Sequence, residues 1–212
     1  MNPFKRLAEF IEDWRYLIKR DGVRLVTREI ATDIVRLPFR HLQFKILEYP
    51  LSDPLPEIAP KIDLVIRPFE FNDLEKVKNL NRPSEAKQCE RHLNNGHRGL
   101  VATYQGEVAG YAWGGPEMKP KLEKIPVQLS PGDVLCTDVF TVPSFRRKGI
   151  QTALSLARFQ LFKELGFQKA VCYIEARNTP SLVVWQKKLG AKITGKIDFL
   201  RILSWYRIRL MD

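Results

Sequence analysis

The sequence contains few cysteines and no pattern typical of a disulfide framework or a zinc site. Only three of its 212 residues are cysteines, Cys89, Cys136 and Cys172, and no two of them form a CxxC pair. An odd number of widely spaced cysteines in a chain of this size is typical of reduced, mostly buried thiols. We therefore predict neither a disulfide-stapled fold nor a metal site.

Long apolar runs are also missing. Arg, Glu and Asp interrupt every apolar stretch near the N-terminus, so the sequence lacks the apolar region of a signal peptide. No stretch approaches the roughly 20 apolar residues that are needed to span a bilayer. These absences predict a soluble, cytoplasmic protein.

Positive charge is what the sequence has in excess. There are 35 Lys and Arg residues against 24 Asp and Glu, a net charge of +11, and the hydrophobic content of 44% is sufficient for a folded core. The excess lies almost wholly in residues 61–212, which carry a net charge of +10. An anionic partner is expected, whether nucleic acid, a phosphorylated ligand or a membrane surface.

Residues 1–60 form a segment of their own in this pattern. Apolar residues recur at helical spacing over 4–18, and a second helix is predicted from 23 to 37, after Asp21-Gly22 and before Pro38. Residues 41–50 look extended, and the proline-rich stretch 51–60 is predicted to be a linker. We interpret the segment as a helical extension that packs on the core or on a second subunit. Membrane contact is the less favoured alternative, because its charges nearly cancel.

From residue 61 the pattern predicts one mixed α/β domain, 61–212. The longest helix is expected at 149–167, between the strands at 133–142 and 169–176. A proline-broken loop is expected at 118–133. The other elements are strands at 63–69, 98–104, 108–115, 192–202 and 203–211 and helices at 71–80, 83–96 and 180–190.

The stretch VFTVPSFRRKGIQTAL (139–154) carries the clearest chemical signal. A strand ends at a proline, and a basic loop with one glycine then leads directly into the long helix. The first turn of a helix has unpaired N–H groups and the positive end of the helix dipole, and Arg146, Arg147 and Lys148 add full charges there. Gly149 leaves room for ligand oxygens to approach the backbone. The stretch is neither a GxxxxGK[ST] loop nor a GxGxxG fingerprint. It predicts a polyphosphate site, with a solvated basic loop as the alternative.

Two motifs resemble those of the GNAT N-acetyltransferase superfamily. VPSFRRKGIQTAL (142–154) is similar to its acyl-CoA-binding pattern V-x-P-x-x-[RQ]-x-x-G-[IV]-[GA], and ARNTPSLVVWQKKLGAK (176–192) is similar to the motif that follows. The order of elements from residue 63 to 211 matches as well. The resemblance implies a GNAT-like fold, a central mixed and splayed sheet flanked by helices, here with the N-terminal helical extension.

The resemblance also implies a cofactor site. The pantetheine arm of the acyl-CoA would pair with the backbone of one strand, and the pyrophosphate would bind to N–H groups at the start of the helix. Asn178 and Ser181 would contact the cofactor from the next motif, which also contains Trp185. The strand residues are Val139, Phe140 and Thr141, and the helix-start residues are Arg146, Arg147, Lys148, Gly149, Ile150, Gln151 and Thr152.

Two departures of this sequence from the family pattern matter. Gln151 stands where Gly or Ala is usual, and a backbone site accommodates it if its side chain turns outward. Trp185 stands where the family usually has a tyrosine that acts as general acid. Indole does not titrate near neutral pH, so Tyr173 or water would have to supply the proton, or the thiolate leaves unassisted, or catalysis is impaired.

An amine acceptor also needs a general base. Asp138 is the first candidate and Glu175 the second, and for each a purely structural carboxylate is the alternative. The three histidines, His41, His92 and His97, lie outside the motifs and are predicted to be structural.

These inferences predict an acyl-CoA-dependent N-acyltransferase. An amine, on a small molecule or a peptide, would attack acetyl-CoA or another acyl-CoA directly, with no metal. Basic residues near the expected acceptor pocket fit either an acidic acceptor or a solvated helix face: Arg82, Lys87, Arg91 and Arg98. A non-catalytic acyl-CoA-binding or scaffold module is the alternative. A nucleic-acid-binding protein ranks last, because no basic and aromatic residues interleave.

Overall fold

A computed structural model describes residues 11–13, 15–16, 18–19, 39–80, 83–118, 129–202 and 205–211. Within these ranges the chain forms one mixed sheet with helices on both faces. The strands are β1 (Phe39–Pro50), β2 (Val65–Pro68), β3 (Arg98–Tyr104), β4 (Glu107–Gly115), β5 (Asp133–Thr141), β6 (Lys169–Glu175), β7 (Lys192–Ile202) and β8 (Trp205–Met211). The helices are α1 (Asp73–Leu80), α2 (Pro83–Asn94), α3 (Ile150–Glu164) and α4 (Thr179–Leu182), and α4 continues as a π-helical turn, Val183–Lys188.

The alternation of side chains along β5 separates two cores. Val134 and Cys136 pack with residues of α3 and α4, among them Phe159 and Leu182. Leu135 points to the other face and packs with residues of α1 and α2. Successive side chains of a strand point to opposite faces, so the α3/α4 layer and the α1/α2 layer lie on opposite sides of the sheet.

The sheet order is β2-β3-β4-β5-β6-β1-β7-β8, and β5–β6 is the one parallel pair among the described strands. This pairing lasts for only three positions and ends at Leu135 opposite Val171. Beyond that point the two strands separate, which opens the middle of the sheet. The predicted mixed α/β fold with a splayed central sheet is confirmed.

Strand β5 also contains a bulge at the opening. Trp113 of β4 pairs with Thr137 and Tyr111 pairs with Phe140, so two residues of β5 face one residue of β4. Asp138 lies in this bulge with φ of 48°. A bulge in an inner strand re-aims the side chain that it carries.

Strand β1 occupies a position that the predicted boundary at residue 60 does not anticipate. It lies inside the sheet between β6 and β7 and pairs antiparallel with both. Its Leu47 is fully buried. The stretch predicted to be extended is therefore a central strand, and a cut at residue 60 would remove it from the sheet.

The described N-terminal residues are helical, as predicted, and contact the α1/α2 layer of the same chain. The Asp13 carboxylate accepts hydrogen bonds from the Ser84 backbone N–H (3.0 Å) and hydroxyl (2.6 Å) at the start of α2. Glu12 pairs with Lys87 at 2.8 Å. The helix predicted at 23–37 and most of the loop at 118–133 lie outside the described residues. No helix in the described part of the chain is long and apolar enough to cross a membrane.

Candidate active site

A cavity of about 360 Å³ fills the opening between β5 and β6. Its walls include Thr137 and Asp138 of β5 and Tyr173 and Glu175 of β6. A larger cavity of about 890 Å³ surrounds the N-terminal end of α3. The two cavities share four lining residues, Val139, Gln151, Asn178 and Ser181, so they are parts of one continuous cleft.

The end of the cleft at α3 has the features of an anion site. Gly149 is the N-cap of this 15-residue helix and has φ of 89°. Among the described residues no acceptor binds the backbone N–H groups of residues 147–152. These donors, the helix dipole, and the Arg146 and Arg147 side chains on the cavity wall all favour a bound anion.

Two details of this loop differ from the sequence-based prediction. Lys148 does not line the cavity: its Nζ lies 5.0 Å from the centre of the Phe145 ring, and its carbonyl accepts a hydrogen bond from Lys61 N–H. A Cβ on Gly149 would lie 3.1 Å from Cα of Pro60. The lack of a side chain at Gly149 therefore leaves room for the protein's own backbone at Pro60. It also permits the left-handed conformation of Gly149.

The side chain of Gln151 links the two motifs. Its Nε2 donates to the Ser181 hydroxyl at 3.0 Å. Ser181 N–H in turn donates to Oδ1 of Asn178, the N-cap of α4, at 3.3 Å. The unusual Gln151 is thus accommodated by turning toward α4, and it holds the two helix starts together beside the cleft.

The wall of β5 leaves one backbone edge open. Phe140 and Thr141 pair with Tyr111 and Gly110 of β4 on one side. On the other side β6 has already separated, so the edge of β5 from Cys136 onward faces the cleft. An extended amide-containing ligand arm can pair with such an edge, as predicted for Val139, Phe140 and Thr141.

Trp185 forms the inner wall of the cleft. It is 1% exposed and packs edge-to-face on Phe159, with 5.2 Å between ring centres. The residue is therefore a part of the core at the position where the family pattern has a tyrosine. An indole there provides shape and no titratable proton.

Asp138 is held by a histidine that the sequence-based prediction had assigned a structural role. Nε2 of His92, on α2, lies 2.7 Å from Oδ2 of Asp138, and the two side chains are 4% and 5% exposed. Nδ1 of His92 lies 3.1 Å from Nδ1 of His97. Because a carboxylate only accepts, His92 Nε2–H donates to Asp138, and the proton between the two Nδ1 atoms is carried by either ring.

Burial, and next to it the neighbouring His92, lower the pKa of His97. A neutral His97 fits the donor arrangement above. The His92–Asp138 contact joins residues 46 positions apart, and no local spacing in the sequence indicates it.

Glu175 and Tyr173 lie on the same side of the sheet as Asp138. Tyr173 packs with the core under α1 and α2, where His92 also lies. Glu175 is two residues further along β6, so its side chain points to this face as well. The three predicted acid–base candidates are thus brought together at one side of the cleft.

A buried arginine supports the bulge. Arg158 of α3 is 1% exposed, and its Nη1 donates to the carbonyls of Trp113 (2.6 Å) and Thr137 (3.1 Å). These carbonyls flank the bulge on its two strands. The guanidinium therefore supplies donors at the point where regular strand pairing is interrupted.

The thiols near the cleft are poor nucleophiles. Burial raises the pKa of both Cys136 and Cys172, which line the cavity floor. A buried thiol in apolar surroundings stays protonated. Neither thiol is therefore suited to form a covalent intermediate.

Comparisons with known proteins agree with this architecture. A Drosophila protein superimposes with a TM-score of 0.55 at 12% identity, over 85% of this chain and 58% of that one. For a GCN5-related N-acetyltransferase from Sphaerobacter thermophilus the TM-score is 0.52 at 16% identity, over 85% of this chain and 55% of that one. The chain therefore spans little more than half the length of these two proteins.

A conserved protein of unknown function from Staphylococcus epidermidis gives a TM-score of 0.50 at 13% identity, over 82% of this chain and 66% of that one. At such identities the likeness shows the fold alone. No curated protein sequence matches the chain. The profile of the acetyltransferase (GNAT) family matches residues 65–191, more than half of the chain. The chain belongs to the GNAT acetyltransferase family.

Proposed function

We propose that this protein transfers the acetyl group of acetyl-CoA to an amine. The observation that carries the proposal is the continuity of the cleft. One end has the open N–H groups and arginines of an anion site, and the other has a buried carboxylate, Asp138. Polyphosphate binding and proton abstraction are the two tasks that such a transfer requires of the protein.

The residues around the α3 end fit the cofactor. The N–H groups of residues 147–152 would bind the pyrophosphate, with Arg146 and Arg147 as counter-charges. The open edge of β5 would pair with the pantetheine arm. Bound acetyl-CoA supplies a thioester, whose carbon–sulfur bond is exchanged for an amide bond. Reduced, buried thiols support a cytoplasmic location for this activity.

Asp138 is the proposed general base. It is fixed by His92 in a bulge that turns its side chain toward the α1/α2 side of the cleft. There it would accept a proton from the amine as the nitrogen attacks. Glu175, on the same face, is the second candidate for this role.

The departing thiolate must gain a proton, which Trp185 cannot supply. Tyr173 lines the same cavity and carries a phenol. We assign it as the donor, with water as the alternative. Trp185 also motivates the second candidate function, a module that binds acyl-CoA but does not catalyse acyl transfer.

Two measurements test the proposal. Calorimetric titration with acetyl-CoA should show binding that weakens in an Arg147→Gln variant, and thiol release should exceed the buffer rate when amines are added. Lys187→Gln, a basic residue of the π-helical turn that lies outside both cavity walls, is the matched control. Absence of binding would refute the proposal. Binding without release across a broad amine panel would favour the second candidate function.

A further inference from the structure

Strand β1 brings one cation into the cleft. Arg40, Leu42 and Phe44 line the cavity together with residues of β5 and β6. All three precede the part of the chain that matches the family profile, residues 65–191. The family profile therefore does not describe any selectivity that they confer.

The sheet register places these side chains on the face that carries the acid–base groups. Phe44 lies opposite Glu175, and Ile46 lies opposite Tyr173. Opposed residues of paired strands share a face, and every second residue returns to it. Arg40 and Leu42 therefore line the same side as Glu175 and Tyr173, away from the α3 end where the anion site lies.

The charged side chains on this face are complementary to an acceptor that carries both a positive and a negative charge. Arg40 is the one Lys or Arg among the described residues that line the 360 Å³ cavity. Neither it nor Glu175 forms an ion pair with a residue in the described part of the chain, whereas Asp138 is held by His92. A guanidinium and a carboxylate thus stand at one mouth, each with its charge open to a ligand.

The spacing indicates how far apart the ligand's own charges lie. Arg40 is four residues along β1 from Phe44, so its Cα lies about 13 Å beyond the row that contains Glu175. The arginine side chain spans part of this distance. The geometry suits an acceptor whose amine and carboxylate are several bonds apart.

We propose that Arg40 binds a carboxylate of the acceptor, so that the substrate class is an amine that carries a carboxylate. This inference rests on the proposed acetyl transfer. It also replaces the basic residues that the sequence suggested for an acidic acceptor. Lys87 and Arg91 bind Glu12 and Gln88, and neither they nor Arg98 line the cavity, while Arg82 lies outside the described residues.

The test compares acceptors that differ by one carboxylate. The kcat/KM for acetyl transfer is measured for γ-aminobutyrate and its amide, and for alanyl-glutamate amide and alanyl-glutamine amide. We expect the carboxylate member of a pair to be preferred about tenfold to hundredfold, the usual size of a charge-assisted hydrogen bond. Arg40→Gln should remove this preference, because it lowers the rates for the carboxylate members far more than the rates for the amides.

Arg207→Gln is the matched control. Arg207 lies on β8, outside the cavity wall, and its partner Leu200 is also the partner of His41, which places it on the opposite face from Arg40. This variant should retain the preference. Arg40→Lys should retain part of it, because an ammonium keeps the charge and loses the bidentate geometry.

Several results would overturn the inference. They are equal rates within both pairs, a preference that survives in Arg40→Gln, and acetyl-CoA binding without turnover of any pair member. If Arg40→Gln instead reduced transfer from succinyl-CoA to neutral amines, the carboxylate site would belong to the acyl group. Failure to bind acetyl-CoA at all would refute the proposed function itself. Failure of the Arg40 inference and failure of the proposed function therefore give different results.

Discussion

Nε2 of His92 lies 2.7 Å from Oδ2 of Asp138, and both side chains are almost completely buried at the edge of the cleft. The contact joins helix α2 to the bulge of β5. A carboxylate in such a place needs a donor, because burial of an unpaired charge is costly. The pair therefore links helix α2 to the sheet. In the proposed reaction, Asp138 is the base and His92 is the residue that positions it.

Replacing Asp138 should abolish most of the proposed activity without loss of cofactor binding. We expect Asp138→Asn to lower kcat by roughly 10²- to 10⁴-fold, the usual contribution of a general base. The acetyl-CoA affinity measured by calorimetry should be unchanged. Asp198→Asn is the matched control, since Asp198 also contacts a histidine, His41 at 2.6 Å, but lies outside the cleft. If the Asp138→Asn variant remained active, the general base would be Glu175 instead.

Replacing His92 should separate positioning from stability. His92→Ala leaves the Asp138 carboxylate buried without this donor, and we expect the free energy of unfolding to fall by about 3–5 kcal/mol. His92→Gln keeps an N–H donor and should recover part of this loss in urea unfolding. Where the Gln variant is folded, its kcat should still be reduced and its KM for acetyl-CoA unchanged. A normal kcat in this variant would show that His92 has only a structural role.

Gly149→Ala tests the contact between the helix start and Pro60. The change imposes a left-handed conformation on alanine, with an expected cost of about 1–2 kcal/mol, and also a 3.1 Å contact with Cα of Pro60. Gly166→Ala is the control, because Gly166 has a similar φ of 84° but nothing within 4 Å of the added Cβ. Thermal unfolding should show the larger loss for Gly149→Ala. Equal losses of thermal stability in the two variants would mean that the loop at Pro60 shifts and relieves the contact.

Acid sensitivity should include a contribution from Asp73 at the start of α1. Burial raises its pKa, but the hydrogen bonds from Arg67 (2.6 Å to Oδ1) and from Glu70 N–H outweigh this effect, so the net pKa is lowered. A carboxyl whose pKa is lower in the folded state stabilises it above the unfolded pKa of about 3.9, and this stabilisation is lost as the pH falls through the folded value.

Asp73→Asn should therefore destabilise the protein at pH 7 by about 1–3 kcal/mol. The difference from the parent should shrink below about pH 4, as the parent's own carboxyl is protonated. Urea unfolding at pH 7 and pH 3 measures both values. Glu75→Gln, which removes an exposed pair with Lys78, should change stability by less than about 0.5 kcal/mol at either pH. A constant difference across pH would refute the assignment.

Local patterns in the sequence were enough to predict the end of the cleft at α3, where we propose that the cofactor binds. A strand, a proline, a basic loop, Gly149 and a long helix follow one another within 16 residues, and the geometry of a helix start depends on its neighbours in sequence. The α/β order and the second motif with Asn178 and Ser181 are predictable for the same reason. The sequence suggested that the Gln151 side chain turns outward. Its turn toward α4 was not predictable, because its partner Ser181 is 30 residues away.

The other end of the cleft, where we propose that the acceptor binds, depends on contacts between segments that are distant in sequence. His92 reaches Asp138 because α2 packs over the β5 bulge, and Arg40 reaches the cleft because β1 inserts between β6 and β7. Periodicity reports which face of an element is buried, but it does not report which element covers that face. The sequence alone thus determined the basic helix start where we propose that an anion binds, and only the tertiary structure decided which side chains line the proposed acceptor side of the cleft.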